Sequence, residues 1–585
     1  MTRLSRLVLA ACLLASTPAQ ADMATSTTLQ AIAQRQATPE AGSGRYPLST
    51  ASARHAMVVT AHPLATEAAL SMLRAGGSAA DAAVAAEAVL GLVEPQSSGF
   101  GGGGFLIHAG RDGVTAIDGR ETAPAATNER RFLDSDGRPL SFDAALESGL
   151  AVGVPGTVAM LAEAHRRWGR LPWATLLQPA IRLAEQGAPV SHRLSLLSGQ
   201  DRMLSAHPAT RAFFLDADGK PWPPGHLLRY PEQVRLLRLL ARKGPQAFYR
   251  GTLAASMVDQ LRAAGSDISL ADWQGYRARV SPALCRPVSR WRVCTPPQPA
   301  GGLSVMENLG LWLDAEAGRP ALAGGDLPAD SLHRLLEAER LAFADRQRYS
   351  ADPAVTPVPV DGLLDAGYWQ QRAALIGERA AGVVPAGQPP GAPLAATDRQ
   401  RREAGTSHVA IVDRDGHWLA MTNSIEDAFG SRLLINGLPM NNQLTDFSFM
   451  PVLDGLPVAN RVEPGKRPRS AMSPLIVLDG HDQPVFTVGS PGGSRIIGFN
   501  TRVLSAWMAG LDDAGALVSL PHALNRNGAS EVEPGLTGTT LAALRARGHD
   551  VREVEMASGL GVILRRNGQL QAAADPRREG LAAGY

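Results

Sequence analysis

The spacing of hydrophobic residues predicts helices through most of the first 350 residues. Residues 62–75 carry apolar side chains at helical spacing and are followed by a Gly-Gly pair, which is typical of a helix C-terminus. Ser78 is a suitable N-cap for the next segment, which is rich in alanine and runs to about Val93. The same spacing predicts helices over residues 157–187 and 330–346.

From residue 407 onward the hydrophobic pattern changes to one typical of strands. Residues 407–413 and 417–424 are rich in β-branched and apolar residues on both faces, as in a sheet that is covered on both sides. The Asp415-Gly416 pair between them is a strong hairpin signal. The preceding residues 381–405 contain four prolines and four glycines without periodicity, which predicts an exposed, flexible linker.

Composition excludes several classes of protein. Hydrophobic residues make up 45% and charged residues 19% of the 585 residues, so the chain is globular rather than disordered. The 57 Lys and Arg nearly balance the 55 Asp and Glu, which argues against a nucleic-acid or anionic-membrane binder. Length alone suggests three or four domains. The 13 histidines show no metal-ligand spacing, and three cysteines are too few for a cysteine-based zinc site, so we expect no metal.

The N-terminus is predicted to be a signal peptide. Arg3 and Arg6 precede an apolar core at residues 7–15, which is too short to span a bilayer. Ala19-Gln20-Ala21 fits the cleavage pattern, so we expect removal of residues 1–21 and export to the periplasm or beyond. A lipoprotein signal ending at Cys12 and a buried N-terminal helix are the alternatives.

One further pattern allows two interpretations of a cysteine pair, and another does not support the cofactor site that it suggests. Cys285 and Cys294 flank a strand-like stretch that predicts a hairpin, and either a disulfide or two buried thiols is compatible with it. Residues 99–104 match the glycine pattern of dinucleotide-binding loops. The residues that follow are strand-like where a helix is required, so we reject a dinucleotide site.

Thr406 lies where the predicted linker meets the predicted strand. If the chain is cut after Gly405, Thr406 carries a free α-amine beside its own hydroxyl. An amine with a pKa of roughly 7.7–8 can accept the hydroxyl proton and activate the oxygen as a nucleophile. Gly405 has no Cβ to obstruct attack on its carbonyl carbon. Taken alone, a Gly-Thr pair is also compatible with an ordinary strand start.

Five strings of residues together resemble the γ-glutamyltransferase (glutathione hydrolase) family in order and spacing. They are Asp118-Gly-Arg-Glu-Thr-Ala-Pro124, Thr406-Ser-His408, Asn441-Asn-Gln-Leu-Thr-Asp-Phe-Ser448, Lys466-Arg-Pro-Arg-Ser470 and Gly489-Ser-Pro-Gly-Gly-Ser-Arg495. The resemblance covers nearly the whole mature chain. It implies the N-terminal-nucleophile hydrolase fold, an αββα sandwich with two stacked sheets between helical layers. It also implies self-cleavage into a large subunit, 22–405, and a small catalytic subunit, 406–585, which form the fold jointly.

The resemblance also implies an activity. Members take the γ-glutamyl group from glutathione or a related amide, form an ester on the threonine, and pass the group to water, an amino acid or a peptide. No cofactor, nucleic acid or stable membrane span is implied. The two subunits are the expected macromolecular partners.

The resemblance assigns roles to further positions, which divide into catalysis and substrate binding. Ser424 is expected to contact the nucleophile, and the N–H groups of Gly492 and Gly493 are expected to form the oxyanion hole. The residues expected to bind substrate are Arg120 and Ser470 for the α-carboxylate, and Asp446 for the α-ammonium with Glu426 and Gln443 beside it. Arg120 suits a carboxylate because its fork is bidentate.

Other positions qualify this assignment. Ala471 stands where many members have a second serine, so one hydrogen bond to the α-carboxylate is expected to be absent. Arg469 is interpreted as part of a solvated basic run, and His408 as strand packing. A glutaryl or cephalosporin acylase of the same fold is the first alternative, although a glutaryl group offers no ammonium for Asp446. An inactive, unprocessed binding protein is the second.

Overall fold

Strands from both ends of the chain combine into two antiparallel seven-stranded sheets. The computed structural model describes residues 42–319, 322, 324–399 and 405–585. The predicted signal peptide, residues 1–21, lies outside the described residues. The described residues belong to one compact unit rather than to the three or four domains that length suggests.

The strands, numbered in chain order, are β1 (Ser49–Ala53), β2 (Met57–Thr60), β3 (Gly103–Gly110), β4 (Gly113–Gly119), β5 (Ala188–Pro189), β6 (Leu227–Leu228), β7 (Arg279–Pro282), β8 (Leu284–Val288), β9 (Trp291–Thr295), β10 (Ser407–Val412), β11 (Trp418–Ser424), β12 (Leu434–Ile435), β13 (Leu438–Pro439), β14 (Val452–Leu453), β15 (Leu456–Pro457), β16 (Leu475–Leu478), β17 (Pro484–Gly489), β18 (Ala523–Asn525), β19 (Ser530–Val532), β20 (Val551–Glu553), β21 (Gly561–Arg566), β22 (Gln569–Ala574) and β23 (Leu581–Gly584).

The α-helices, numbered in the same way, are α1 (Pro63–Arg74), α2 (Ala79–Val93), α3 (Phe142–Glu147), α4 (Thr157–Trp168), α5 (Trp173–Leu176), α6 (Gln178–Gln186), α7 (His192–Gln200), α8 (Pro208–Phe214), α9 (Pro231–Lys243), α10 (Gln246–Tyr249), α11 (Thr252–Ala263), α12 (Leu270–Gly275), α13 (Gly302–Glu316), α14 (Ala329–Tyr349), α15 (Val360–Leu363), α16 (Ala366–Ala373), α17 (Ile496–Met508), α18 (Ala514–Ser519) and α19 (Gly538–Ala546).

Each sheet mixes strands from before and after residue 405. One sheet has the order β1-β22-β21-β17-β16-β9-β8, and the other has the order β23-β2-β10-β11-β3-β4-β7. Strand β10, which begins directly after Thr406, therefore lies inside its sheet. It pairs with β2 on one side and with β11 on the other.

Three hydrophobic cores show that the sheets are stacked between helices. On β10, Val409 and Ile411 pack into the core that contains α1 and α2. The alternate residues Ala410 and Val412 pack between the two sheets. The outer face of the other sheet packs against α13, α14 and α17. The order helix, sheet, sheet, helix confirms the predicted αββα arrangement, and alternation along β10 explains why both of its faces are apolar.

Local signals correctly predicted several elements. Ser78 caps α2 through its side chain and, with Asp81, forms a capping box. Strands β10 and β11 form the predicted hairpin, with Gly416 at φ +81° in the turn. The predicted helix over residues 157–187 is divided into α4, α5 and α6. Strands β8 and β9 pair with Cys285 opposite Cys294, and these cysteines form a disulfide.

The predicted linker is irregular over its described part, residues 381–399. Several of its main-chain amides donate to buried side chains of the folded body. Ala381 donates to Glu337, and Gly387 donates to Asp345. No helix within the described part of the chain has both the length and the apolar composition that a bilayer crossing requires.

Candidate active site

Thr406 is buried immediately before β10, and its hydroxyl faces the peptide bond that precedes it. The Oγ1 atom donates to the carbonyl oxygen of Gly405 at 2.5 Å, and Thr406 is only 2% exposed. The hydroxyl of Ser424 also donates to this carbonyl. Ser424 is in reach because Ser407 pairs with Asn423 across the hairpin. Two hydroxyls therefore converge on the Gly405 carbonyl of the intact chain.

Gly405 has a backbone conformation that other residues seldom adopt. Its φ is +56°, and a Cβ added there would lie 2.1 Å from the carbonyl oxygen of Glu426. Glycine at this position therefore has a second role besides leaving its carbonyl carbon accessible. Any side chain at residue 405 would displace the loop after β11.

Glu426 shapes that loop. It has a positive φ of +81°, and its N–H donates to Ser424 Oγ at 2.8 Å. Its carboxylate accepts from the side-chain amide of Asn442. These bonds fix the hydroxyl of Ser424, and Glu426 itself does not line the cavity beside Thr406.

A small cavity of about 10 Å³ joins most of the predicted site residues. Its lining includes the predicted residues Arg120, Thr406, Ser424, Gln443, Asp446, Ser470 and Gly493, and also Ala471, Met472 and Ile496. Met472 and Ile496 were not predicted, because an apolar residue near a site has no distinguishing sequence signal.

Arg120 and Asp446 pair with each other at this cavity, and both side chains are buried. The Arg120 guanidinium also donates to the carbonyl oxygens of Pro468, at 3.1 Å, and Arg469, at 2.8 Å. Asp446 accepts a second bond from Gln443 Nε2 at 2.8 Å. The cationic and anionic groups predicted to bind a zwitterionic substrate thus pair with each other.

Asn460, which no sequence pattern indicated, connects the segment that carries Asp446 to the loop that holds Arg120. Its amide donates to the carbonyl oxygen of Asp446 at 2.8 Å, and its Oδ1 accepts from the N–H of Arg469 at 3.0 Å. The turn that carries Asp446 and the loop that holds Arg120 are therefore held at a fixed separation.

The interpretation of Arg469 as part of a solvated basic run is wrong. The Arg469 side chain is buried and pairs with the buried carboxylate of Asp398 at 3.0 Å. Lys466 and Arg467 are buried as well, and they pair with Glu463 and Asp118. Each cation has a carboxylate partner, which offsets the cost of removing it from water.

Glu121 lies behind Arg120 and is fully buried. Burial raises the pKa of its carboxyl group to about 8, although the Arg120 guanidinium, 3.8 Å away, opposes this shift. Glu121 is therefore a neutral acid near pH 7. The formal charges beside the cavity remain those of Arg120 and Asp446.

Gly492 and Gly493 form a tight turn at the start of α17. Their φ values are +128° and +59°, and a Cβ on Gly492 would lie 2.5 Å from the ring of Phe499. Gly493 begins a 3-10 turn, Gly493–Arg495, that leads into α17. Main-chain N–H groups at such a position favour a negatively charged atom. Gly493 lines the cavity, whereas Gly492 does not.

His408 lies between the two sheets. Its ring fills the space that a side chain at Gly489 would occupy, and its Nδ1 is 2.9 Å from Thr422 Oγ1. Burial lowers the pKa of His408 to about 3, so the ring is neutral. This position fits the interpretation of His408 as strand packing.

One buried group with metal-ligand character occurs among the described residues, and it shares no residue with the cavity. His333, Glu337 and His549 place ligand atoms within 4.8 Å of one another. The two rings contact each other at 2.7 Å, and their other nitrogens contact Gly377 and Ser530. Hydrogen bonds alone account for this group.

The chain is similar to known glutathione hydrolases and acylases in sequence and structure. A family model described as Gamma-glutamyltranspeptidase matches residues 65–585. The chain is 33% identical to a glutathione hydrolase proenzyme of Bacillus subtilis (strain 168), covering 90% of this chain and 91% of the relative. It is 34% identical to the Acylase ACY 1 proenzyme of Pseudomonas sp. (strain SE83), covering 91% and 93%. A cephalosporin acylase from Bacillus halodurans has a similar structure, with a TM-score of 0.82, 27% identity and coverage of 93% and 97%.

Proposed function

The chain belongs to the gamma-glutamyltranspeptidase family, and from this membership we propose that it is a self-processed γ-glutamyl hydrolase and transpeptidase. Its donor substrate is glutathione or a related γ-glutamyl amide. The observation that carries the proposal is the convergence of the Thr406 and Ser424 hydroxyls on the Gly405 carbonyl, beside the Arg120–Asp446 pair.

Maturation begins at the Gly405 carbonyl. The Thr406 oxygen attacks the carbonyl carbon, the C–N bond breaks, and the hydroxyl proton passes to the Thr406 nitrogen. Water then hydrolyses the resulting ester, which leaves a carboxylate on Gly405 and a free amine on Thr406. Ser424 holds the carbonyl oxygen during attack. The word proenzyme in the names of the relatives supports such a precursor.

The mature enzyme repeats this chemistry on its substrate. The Thr406 amine accepts the hydroxyl proton, and the oxygen attacks the γ-carbonyl carbon of the donor. The N–H groups of Gly492 and Gly493 stabilise the oxyanion, each by on the order of 3 kcal/mol. The amine returns the proton to the leaving nitrogen. Water or an amino acid then attacks the γ-glutamyl ester and restores Thr406.

Binding of the donor replaces the ion pair between Arg120 and Asp446 by two ion pairs with the substrate. Arg120 and Ser470 bind the α-carboxylate, and Asp446, supported by Gln443, binds the α-ammonium. A zwitterionic donor replaces the internal Arg120–Asp446 pair with two new pairs of the same charges, so no buried charge is left unpaired.

The predicted signal peptide places this chemistry outside the cytoplasm, in the periplasm or beyond. The two products of cleavage, 22–405 and 406–585, remain associated as large and small subunits. The disulfide between Cys285 and Cys294 is compatible with an oxidising compartment.

An acylase that removes glutaryl-type side chains is the second candidate. Its support is the likeness to two acylases and the presence of Ala471 beside the cavity. Asp446 favours the γ-glutamyl donor, because a glutaryl group brings no ammonium to pair with this carboxylate.

A gel of the purified protein, combined with an assay on γ-glutamyl-p-nitroanilide, tests the proposal. We expect two bands, with lengths near 384 and 180 residues by the boundaries 22–405 and 406–585, and release of nitroaniline. Thr406→Ala is expected to remain one inactive chain. Thr406→Ser, which keeps a hydroxyl, serves as the matched control and is expected to be cleaved. An intact, inactive wild-type protein would contradict the proposal.

A further inference from the structure

Arg578 contacts the residue that the proposed reaction uses as nucleophile. Its Nη1 atom donates to the carbonyl oxygen of Thr406 at 3.1 Å, and its Nη2 atom donates to the carbonyl oxygen of Ala557 at 3.1 Å. The Arg578 residue is only 2% exposed. One guanidinium thus joins the main chain at Thr406 to the segment that precedes β21.

The same segment reaches the proposed oxyanion loop. The N–H of Gly559 donates to Ser490 Oγ at 3.1 Å. A Cβ on Gly559 would lie 2.7 Å from both Arg578 Cδ and the ring of Pro491, so these groups are closely packed. Arg578 therefore fixes the position of Thr406 relative to the turn that contains Gly492 and Gly493.

Cleavage makes this contact more important. Before cleavage, Gly405 holds Thr406 covalently on its N-terminal side. After cleavage, pairing within β10 begins only at Ser407, so Thr406 depends on its side chain and on its own carbonyl for a fixed position. Arg578 supplies that carbonyl contact.

The guanidinium also acts on the new amine. The nitrogen and the carbonyl oxygen of one residue lie within about 4 Å of each other. A permanent cation bonded to the Thr406 oxygen is therefore close to the Thr406 amine, and it disfavours protonation of that amine.

Other charged groups near Arg578 modify this effect. Glu94 and Glu579 are anionic neighbours, and Arg193 is a second cation, whose Nε lies 3.9 Å from the Glu94 carboxylate. Burial raises the pKa of Glu94 to about 6, so it is ionised above that pH. On the Thr406 side, Arg120 and Asp446 line the same cavity, and they pair with each other. His408 is neutral, and the Glu426 carboxylate accepts from Asn442. Arg578 is the cation in direct contact with Thr406.

We propose that Arg578 is a positioning residue for Thr406, which holds the cleaved end in line with the oxyanion loop and keeps its amine unprotonated near neutral pH. The inference rests on the proposed function, since it requires Thr406 to be the nucleophile and its amine to be the base.

The pH dependence of kcat/KM tests the inference. For Arg578→Gln, we expect the acid limb measured with γ-glutamyl-p-nitroanilide to move upward by about one pH unit, together with a lower kcat. Arg578→Lys keeps the charge but replaces the two-pronged fork by one ammonium, so we expect an unmoved limb and a lower kcat. Arg552→Gln removes an exposed arginine on β20 and is expected to match wild type.

The outcomes are distinguishable. Wild-type protein that is neither cleaved nor active refutes the proposed function itself. Active wild type combined with a glutamine variant whose limb and kcat are unchanged refutes only the role of Arg578. If the glutamine variant fails to fold, the lysine variant decides alone, and an unchanged kcat in that variant overturns the inference.

Discussion

The two ends of the pocket are built from different parts of the fold. At the reacting end, Thr406 directly precedes β10 and Ser424 is the last residue of the paired strand β11, so their placement follows from the register of one hairpin. At the recognition end, Arg120 lies in a loop and Asp446 ends a 3-10 turn, and the two residues are 326 apart in sequence. Their placement depends on bonds to Arg469 and Asn460. The reacting end should therefore respond to change in an all-or-none manner, and the recognition end in steps.

Gly405→Ala should break the reacting end most completely. The new methyl group would meet the Glu426 carbonyl, so we expect cleavage to slow by on the order of 100-fold, as for a misplacement of about 1 Å. The fraction of intact chain on a gel over time measures this. Gly391→Ala is a matched control, because Gly391 also has a positive φ, +73°, but open space around it. Equal slowing in both variants would show that backbone strain at a positive φ causes the effect, rather than the contact with the Glu426 carbonyl.

Asp446→Asn should produce a graded loss at the recognition end. Loss of a bond to a charged group lowers kcat/KM for γ-glutamyl-p-nitroanilide by about 10- to 100-fold. We expect a much smaller loss for glutaryl-p-nitroanilide, which has no ammonium group. Asp267→Asn, which alters an ion pair with Arg131, is the control. Equal losses on both substrates would remove Asp446 from ammonium binding.

Ala471→Ser should improve recognition without affecting the reacting end. The added hydroxyl lies at the cavity and supplies a further donor to the α-carboxylate, so we expect KM to fall about five- to tenfold at constant kcat. The reverse change beside it, Ser470→Ala, should raise KM. A fall in kcat for Ala471→Ser would show that the two ends are coupled.

Glu87→Gln should alter stability but not activity at pH 7. Glu87 is fully buried on α2, where its carboxyl accepts from Asn423 at 2.6 Å, and burial raises its pKa to about 8. Between its ordinary pKa near 4.5 and about 8, only the unfolded chain releases this proton. The free energy of unfolding therefore falls as pH rises, by about 1.4 kcal/mol per unit, and stops falling above pH 8.

Denaturation between pH 5 and pH 9 checks this prediction. The glutamine variant should show a flatter dependence than wild type, because its side chain does not titrate. Glu67→Gln, an exposed position on α1, should leave the dependence unchanged. A glutamine variant at Glu87 with the slope of wild type would mean that this carboxyl is already ionised in the folded protein.

The same contrast explains what the sequence could predict. Capping by Ser78 and the Asp415-Gly416 turn are local signals, so α1, α2 and the β10–β11 hairpin were predicted from short segments. The proximity of Arg120 and Asp446 was predicted only through the family resemblance. Arg469 and Arg578 were not assigned their contacts, because burial of an arginine depends on carboxylates and carbonyls from distant segments, here Asp398 and Thr406.

The position of β10 within its sheet has a consequence for cells that carry one active and one inactive copy of the gene. The proposed cut leaves β10 and β11 between β2 and β3, so the first strands of the small piece stay paired with strands of the large piece. Separation would require unfolding, and the pieces of different molecules have no route to exchange. A cell that makes both active and Thr406→Ala chains should hold two unmixed populations. Its activity should then be proportional to the dose of the functional copy, without dominance or rescue.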